Sequence, residues 1–377
     1  MTLHLDYQTS ATVRDRLDRW DAIARERSVD PGNWRMLVIW PPARDASISG
    51  STGIEGNPLN PSQVEQVIAG AAVEADVDHI REVANYNRAL NLAHDAARRP
   101  DFTWSHEFIH TINATVMDGL PRDTRGNYRS APDEDVHVGF FTGPSPLIVQ
   151  RLMDVLVEWL RGNRTSPLIR SALLHLNLIA IHPFNDGNGR TSRILSAVEL
   201  IRDGVSAPEL ISIEAYLRRN REDYVDMLRT TLGPTYDPDN HPVTEWIDYY
   251  TRISLDRLEV RTRILEAMPT DIGMLFAELE DRGQPVEWAP ALLAARVSRL
   301  RTTQVAALTN RSVAAARAEL ARMSGAGWLE ARGRTRGRWY APSERLIAVP
   351  LRIPSLMRLM ARGEALATFD HVPAGPA

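Results

Sequence analysis

Apolar positions recur at helical spacing along most of this chain. Residues 3 to about 27 read as a charged helix, and residues 34–42 form a short apolar run closed by Pro41 and Pro42. From about residue 60 to 99 an alanine-rich pattern carries Val64, Val67, Ile68, Val77, Ile80, Val83 and Leu90 at helical intervals. Residues 104–117 predict a further helix. Residues 122–141 differ: Gly126, Pro132 and an acidic turn precede Val136, Val138 and Phe140 in alternation, which predicts a β-hairpin. Residues 168–181 are apolar almost throughout and predict a buried helix, and Ile194, Leu195, Val198 and Ile201 mark the next. Helices then dominate to about Glu266. Residues 304–308 and 312–323 predict two short helices joined by a turn at Thr309 and Asn310. No internal repeat or low-complexity tract interrupts the chain. The expected fold class is mainly α.

Between the two apolar helices lies the polar run His182-Pro183-Phe184-Asn185-Asp186-Gly187-Asn188-Gly189-Arg190-Thr191-Ser192-Arg193. A tight loop that feeds a helix N-terminus offers unpaired backbone N–H groups and a positive dipole end, a ready anion site. With a nucleoside triphosphate as the anion, each residue type has a task. Gly187 and Gly189 let the backbone approach phosphate oxygens. Asn188 can donate an amide hydrogen bond there, and Asp186 can hold a Mg²⁺ that also touches phosphate. Arg190 and Arg193, three apart on one helix face, can clamp phosphates. His182 can take a proton from an attacking hydroxyl near neutral pH. A plain polar loop before a Gly-rich helix start would need only one or two of these residues.

Composition narrows the chemistry. At 377 residues the chain can hold two or three domains with sizeable cores. It has no cysteine, which excludes disulfides and thiol catalysis. Lysine is absent too, so all 44 basic residues are arginine. That excludes a P-loop lysine and a kinase strand lysine, and leaves phosphate chemistry to arginine, metal and backbone. The net charge of −4 gives no global polyanion-binding character. The first residues lack a basic stretch followed by an apolar one, and no apolar run approaches the roughly 20 residues of a membrane span. The expectation is a soluble, cytoplasmic protein with no membrane contact.

The polar run resembles in full the signature of Fic-domain proteins, His-Pro-Phe-x-Asp/Glu-Gly-Asn-Gly-Arg-x-x-Arg. The resemblance implies transfer of AMP from ATP to a protein hydroxyl, with Mg²⁺ as cofactor. The related Doc-type kinases carry lysine where this chain has Gly189, which argues against phosphorylation. A second segment, Ser51-Thr52-Gly53-Ile54-Glu55-Gly56-Asn57, is similar to the inhibitory signature of Fic proteins, Ser/Thr-x-x-x-Glu-Gly/Asn. That resemblance implies that Glu55 pairs with Arg193. A carboxylate seated on the arginine meant for the γ-phosphate removes that contact and leaves the α-phosphate misplaced for in-line attack. Ser51 and Glu55 lie one helical turn apart and share a face; without the core motif the segment would read as a helix cap with a surface glutamate.

The family also has a flap that holds the target chain by main-chain pairing, and here Tyr128, Arg129 and the stretch Val136, Val138 and Gly139 sit where that flap would fall. An ordinary structural hairpin is the other reading. Similar segments line the adenine pocket, which makes Tyr216, Asn220 and Tyr224 candidates; aromatic core packing is the rival for both tyrosines.

His106-Glu107-Phe108-Ile109-His110 spells the zinc-peptidase pattern, yet positions 113 and 116 are Asn and Val, and no third ligand is evident. His106 and His110 read better as ordinary, partly buried histidines. Near the C-terminus the two short helices precede Gly327-Trp328-Leu329 and an arginine-rich stretch, 332–338, then Trp339 and Tyr340. This resembles a winged helix-turn-helix. Between residues 296 and 345 eleven arginines face three acids, 11 − 3 = +8, a polarity that suits DNA phosphates. Protein contact or homodimerisation is the alternative use of such a module.

The expected division is 1–95, an N-terminal helical region with the inhibitory motif; 96–250, the catalytic core; 251–294, a helical connector; 295–345, the winged helix; and 346–377, a tail. The expected function is a protein adenylyltransferase that acts on a Ser, Thr or Tyr hydroxyl of another protein or of itself, held low by Glu55. The alternatives are a de-AMPylase that uses Glu55 to orient water, and a DNA-binding regulator whose core senses nucleotide.

Overall fold

The computed structural model describes residues 2–26, 33–123, 125–205, 207–333 and 338–371. Its helices, in chain order, are α1 (Ala11–Glu26), α2 (Trp34–Ile54), α3 (Pro61–Ile68), α4 (Val77–Ala97) and α5 (His106–Met117). A small hairpin, β1 (His137–Val138) and β2 (Phe141–Thr142), leads into α6 (Pro146–Gly162), α7 (Pro167–Ile181) and α8 (Asn188–Arg202). Then come α9 (Glu214–Arg219), α10 (Arg221–Leu232), the long α11 (Thr244–Asp281) and α12 (Ala289–Val297). The C-terminal part holds α13 (Thr302–Thr309), α14 (Val313–Gly325), the hairpin β3 (Leu329–Arg332) and β4 (Trp339–Pro342), α15 (Glu344–Ala348) and α16 (Ile353–Ala361). The fold is mainly α, and no helix among the described residues is long and apolar enough to cross a membrane.

Helix α7 explains its own uninterrupted apolar sequence, because it is covered on both sides. Leu174, Leu178 and Ile181 enter a core shared with α4, α5, α6 and α8. Leu168, Leu173, Leu176 and Ala180 enter another, shared with α1, α10 and α11. A third core joins the start of α2 and the end of α11 to α12 and the elements beyond it. The polar run therefore leaves a buried helix and enters another at a fixed place.

The structure corrects several sequence expectations. Residues 3–10 are not helical: His4 exchanges backbone hydrogen bonds with the Asn177 amide at 2.9 and 3.0 Å, and Asp6 O accepts from Val243 N. Helix α1 starts only after Ser10, whose Oγ accepts from Val13 N. The prolines at 41 and 42 do not close an element; α2 runs through both to Ile54. Proline lacks the N–H that would serve the carbonyl four residues earlier. The Leu37 carbonyl, orphaned by Pro41, accepts instead from Gln304 Nε2 of α13 at 3.1 Å. The 60–99 pattern is two helices: Gly70, at φ +68°, ends the first, and Asp76 caps the second through Asp78 N. The hairpin is real but each strand has only two residues, registered His137 with Thr142 and Val138 with Phe141. Helix α11 extends 38 residues, past Glu266 and unbroken across residue 250, where a domain boundary was expected.

In the C-terminal part, Asn310 takes the left-handed conformation (φ 50°) at the turn between α13 and α14, and Ser312 caps α14 through Ala315 N. β3 and β4 pair antiparallel, with Glu330 opposite Ala341. Arg334, Thr335, Arg336 and Gly337 of the expected wing lie outside the described residues.

Candidate active site

His182 is the residue that ends α7, and it does so in the left-handed conformation (φ 49°). Such a conformation in a residue with a Cβ is held only by its surroundings. The main restraint is Arg129, 1% exposed, whose side chain donates to the carbonyls of His182 (2.7 Å), Ile181 (3.0 Å) and Pro144 (2.7 Å). Its own N–H donates to Pro183 O at 2.8 Å. Sequence reasoning placed Arg129 on the flap; in the structure it is the anchor of the histidine turn. The His182 Nδ1 lies 3.3 Å from Ile179 O, which suits the tautomer with hydrogen on Nδ1 and a free acceptor at Nε2. Burial lowers its pKa to about 4, with the Arg129 charge acting in the same direction. The imidazole is neutral at pH 7, ready to accept a proton.

The loop that follows is closed from within. Asn188 accepts from Phe184 N at 3.0 Å and donates to Phe184 O at 2.7 Å. Its side-chain amide, expected to face phosphate, is thus engaged in shaping the turn, and only its backbone N–H remains for an anion. Asn113 of α5, fully buried, donates to Asp186 O and Thr191 Oγ1, both at 3.1 Å. Gly187 holds φ +76°, and a Cβ there would strike Met117 Sδ at 2.8 Å. Helix α8 begins with a glycine cap and no side-chain hydrogen bond to that cap, the geometry of an anion site.

Arg193, 3% exposed, is gripped by the Ser51–Glu55 segment. Its Nε donates to Ser51 Oγ at 2.7 Å, and Nη2 donates to Ser51 O at 3.0 Å and to Glu55 Oε1 at 2.8 Å. Burial would raise the Glu55 carboxyl, but the Arg193 charge and hydrogen bond prevail and hold it below the usual carboxylate range. Tight glycine contacts bring the segment this close. A Cβ on Gly50 would meet the Ala215 backbone N of α9 at 2.6 Å, and one on Gly189 would collide with Glu55 Oε1. Arg221 Nε donates to Ile54 O at 3.1 Å and Arg218 to Ser49 O at 3.0 Å, which lock α2 against α9 and α10. Arg190 does not point at Glu55. Its Nη1 bonds Glu82 of α4 at 2.6 Å and its Nη2 bonds Asp186 at 3.0 Å.

Glu55, His182, Asp186, Gly187, Asn188 and Gly189 line one cleft of about 630 Å³, together with Arg122, Asp123, Asn185 and residues 133–138. Val136, His137 and Val138 thus face the cleft, and Gly139 (φ 57°) turns the hairpin at its edge. β2 is also bridged to Thr235, whereas β1 pairs only with β2 among the described residues. One edge of β1, a strand that lines the same cleft as His182, is thus left unpaired among the described residues. Glu134 braces it by accepting from Ser130 N, Ala131 N and Asn185 Nδ2.

The three expected adenine-pocket residues are not in this cleft. Tyr224 is 4% exposed, bonds His175 Nε2 at 2.9 Å and lies among Trp246 and the other core aromatics. Tyr216 is half-buried under the Arg257 guanidinium, and Asn220 donates to Tyr216 O at the α9–α10 junction. His106 and His110 are occupied too. His106 contacts Tyr128 Oη (3.2 Å) and Asp154 (3.2 Å), and His110 bonds Gly126 O. Among the described residues no group of three or more His, Asp or Glu could hold a metal ion on its own.

A helical fold that sets a neutral histidine, the Asp186 carboxylate and two arginines around a helix N-terminus suits a phosphate-handling protein. Residues 103–200 match the Fic/DOC family, so the chain carries a Fic domain. It is 27% identical over 261 residues to the protein adenylyltransferase Fic of Aedes aegypti, covering 66% of this chain and 50% of that protein. It is 25% identical over 223 residues to a probable protein adenylyltransferase of Aquifex aeolicus, covering 55% and 67%. The chain thus spans about half to two thirds of the length of these curated relatives. A crystal structure of a Fic family protein from Desulfovibrio desulfuricans shares the fold, with a TM-score of 0.56, 22% identity, and 90% of this chain and 98% of that one covered.

Proposed function

We propose that this chain is a protein adenylyltransferase that moves AMP from ATP to a protein hydroxyl and is held low by Glu55. The observation that carries this reading is a neutral His182 and an ion-paired Glu55–Arg193 in and beside one cleft. The adenylyltransferase names of the relatives support it.

In this mechanism His182 Nε2 takes the proton of a Ser, Thr or Tyr hydroxyl as its oxygen attacks the α-phosphorus. A new O–P bond forms, the bond to the β-phosphate oxygen breaks, and pyrophosphate leaves. The backbone N–H groups at the start of α8 stabilise charge on the α-phosphate. Arg190 and Arg193 hold the β- and γ-phosphates. Asp186 fits a Mg²⁺ ligand: its Oδ1 serves Arg190 and Gly187 N, and its Oδ2 has no partner among the described residues. Mg²⁺ commonly takes one or two carboxylates and fills its shell with phosphate oxygens and water; bound there it would supply charge neutralisation. The free edge of β1 supports docking of the target segment by strand addition, with Val136, Val138 and Gly139 at the contact. Tyr216, Asn220 and Tyr224 do not line this cleft, and no step of this mechanism uses them. A cytoplasmic setting, with its supply of MgATP, suits this activity.

A second reading is favoured by one observation: Glu55, 37% exposed at its side chain, shares the cleft with His182. From there it could orient water for removal of AMP. A DNA-binding regulator has less support. Of the eleven arginines counted, Arg299 and Arg301 pair with Glu65, Arg311 and Arg322 with Glu319, and Arg332 with Glu330. Arg296 and Arg345 bond backbone carbonyls.

Intact mass after incubation with MgATP tests the proposal, because self-modification needs no known target. A gain of one adenylyl group by the Glu55→Gly protein supports it, and unchanged mass with every protein hydroxyl offered would count against it.

A further inference from the structure

Arg190, which holds phosphate in the proposed mechanism, is itself held by neighbouring side chains. Arg190 is 6% exposed, and its Nη2 bonds Asp186, which lines the cleft. Behind it stands Glu82 of α4, whose Oε1 accepts from Arg190 Nη1 at 2.6 Å. The other oxygen of the same carboxylate, Oε2, accepts from Asn57 Nδ2 at 2.8 Å. Asn57 is itself fixed, donating to His79 O at 3.0 Å and accepting from Leu59 N at 3.0 Å. It lies two residues after Glu55, across a turn in which Gly56 takes φ +103° and Asn57 N returns to Thr52 O. One turn of chain thus reaches both arginines of the motif, directly through Glu55 and indirectly through Asn57 and Glu82.

Arg190 Nε is buried and has no hydrogen-bond partner. A buried donor left unpaired is costly, so a rigid carboxylate on the opposite side is what keeps the guanidinium from turning to satisfy it. Glu82 can do this because its two oxygens are separately engaged. The pair is buried, which makes its geometry stiff and its loss expensive.

We propose that Glu82 is a positioning residue for Arg190 and that Asn57 ties this carboxylate to the inhibitory turn, so that the turn restrains both phosphate-binding arginines. The inference rests on the assignment of Arg190 to phosphate. Glu82 touches no reacting atom. It sets the angle at which Arg190 meets the nucleotide, and the Asn57 link makes that angle depend on where the turn sits.

The test is titration of MgATP into the full-length Glu55→Gly protein and into the same protein with Glu82 changed, with AMP transfer assayed separately. Glu82→Ala should raise the ATP Kd about tenfold, the scale of one lost charge-assisted hydrogen bond. Glu82→Gln, which keeps an acceptor oxygen in place, should recover most of that loss. Glu82→Asp, one methylene short, should not recover it, and this contrast holds if the alanine variant fails to fold. Asn57→Ala should weaken ATP binding in the parent and change nothing further once Glu82 is alanine. ATP affinity that is equal in parent, Ala, Asp and Gln variants overturns the inference. Absence of AMP transfer with Glu82-dependent ATP binding would instead sink the proposed activity and leave this inference standing; a parent that binds no ATP overturns both.

Discussion

The Glu55 carboxylate lies 2.8 Å from the Arg193 guanidinium and directly over Gly189, the one position of the loop where a Cβ would collide with it. In the proposed function inhibition and catalysis would share this glycine: its missing side chain leaves room both for a phosphate at the helix N-terminus and for the Glu55 carboxylate. Glu55 is the helix-ending residue of α2, so its reach is set by how deeply that helix packs. Gly50 against Ala215, and Arg218 and Arg221 on the α2 carbonyls, set that depth.

Glu55→Gly should raise auto-AMPylation. A charge-assisted pair in a partly enclosed site is worth roughly 1.5–3 kcal/mol, about ten- to a hundredfold in rate if fully released. In an Arg193→Ala background the same change should do nothing, since the γ-phosphate contact is already gone. Incorporation of labelled AMP measures both. Equal rates in wild type and Glu55→Gly would remove the inhibitory role.

Arg129→Met should damage both stability and transfer. The change leaves the carbonyls of His182, Ile181 and Pro144 without their donor. Leaving buried carbonyls unpaired should lower unfolding free energy by about 2–4 kcal/mol, read as a fall in the urea midpoint. Transfer should drop mainly in kcat, because the left-handed turn that aims the imidazole is no longer held. A variant with wild-type midpoint and kcat would show that the turn holds itself.

The parts legible in the sequence are those whose partners are close along the chain. His182, Asp186, Gly187, Gly189, Arg190 and Arg193 fall within twelve residues, and Ser51 and Glu55 are one turn apart, so a single helical geometry fixes each group. What supports them was not legible. Arg129, Asn113 and Glu82 are single polar residues whose roles depend on burial against segments 53, 73 and 108 positions away. The course of α2 through two prolines depends on Gln304, 267 residues distant. Asn188 misled for a local reason: an amide can serve a ligand or close its own loop, and here the Phe184 backbone takes both ends.

The pH profile should report a buried base. With the His182 pKa lowered to about 4 by burial, the imidazole stays neutral until well below its ordinary midpoint. Transfer by Glu55→Gly at pH 5 should keep about nine-tenths of its pH 8 rate, whereas a histidine of ordinary pKa would leave about 3%. Single-turnover rates with circular dichroism at each pH make the comparison. A midpoint near 6.5 would mean that His182 is solvated when the hydroxyl is bound.

The stability of the helix that ends at Glu55 should depend on pH. Asp45 of α2 is 8% exposed, and burial, helped by Glu65, pushes its carboxyl pKa from 3.8 up to about 8. A raised carboxyl pKa means that the folded chain keeps a proton that the unfolded chain has lost. Its stabilising contribution is complete below pH 3.8 and declines as pH rises, until it is gone above about 8. Asp45→Asn carries no such proton. Its stability relative to wild type should therefore climb between about pH 4 and 8, by at most about 1.4 kcal/mol per pH unit, and level off beyond. Urea unfolding at pH 5, 7 and 9 measures the gap. The Arg44 and Arg301 charges oppose the shift, so a gap that stays constant with pH would show that they hold Asp45 ionised throughout. A gap that widens would show that α2 is least firmly seated in alkali, and auto-AMPylation of the wild type should then rise above about pH 8 while that of Asp45→Asn does not.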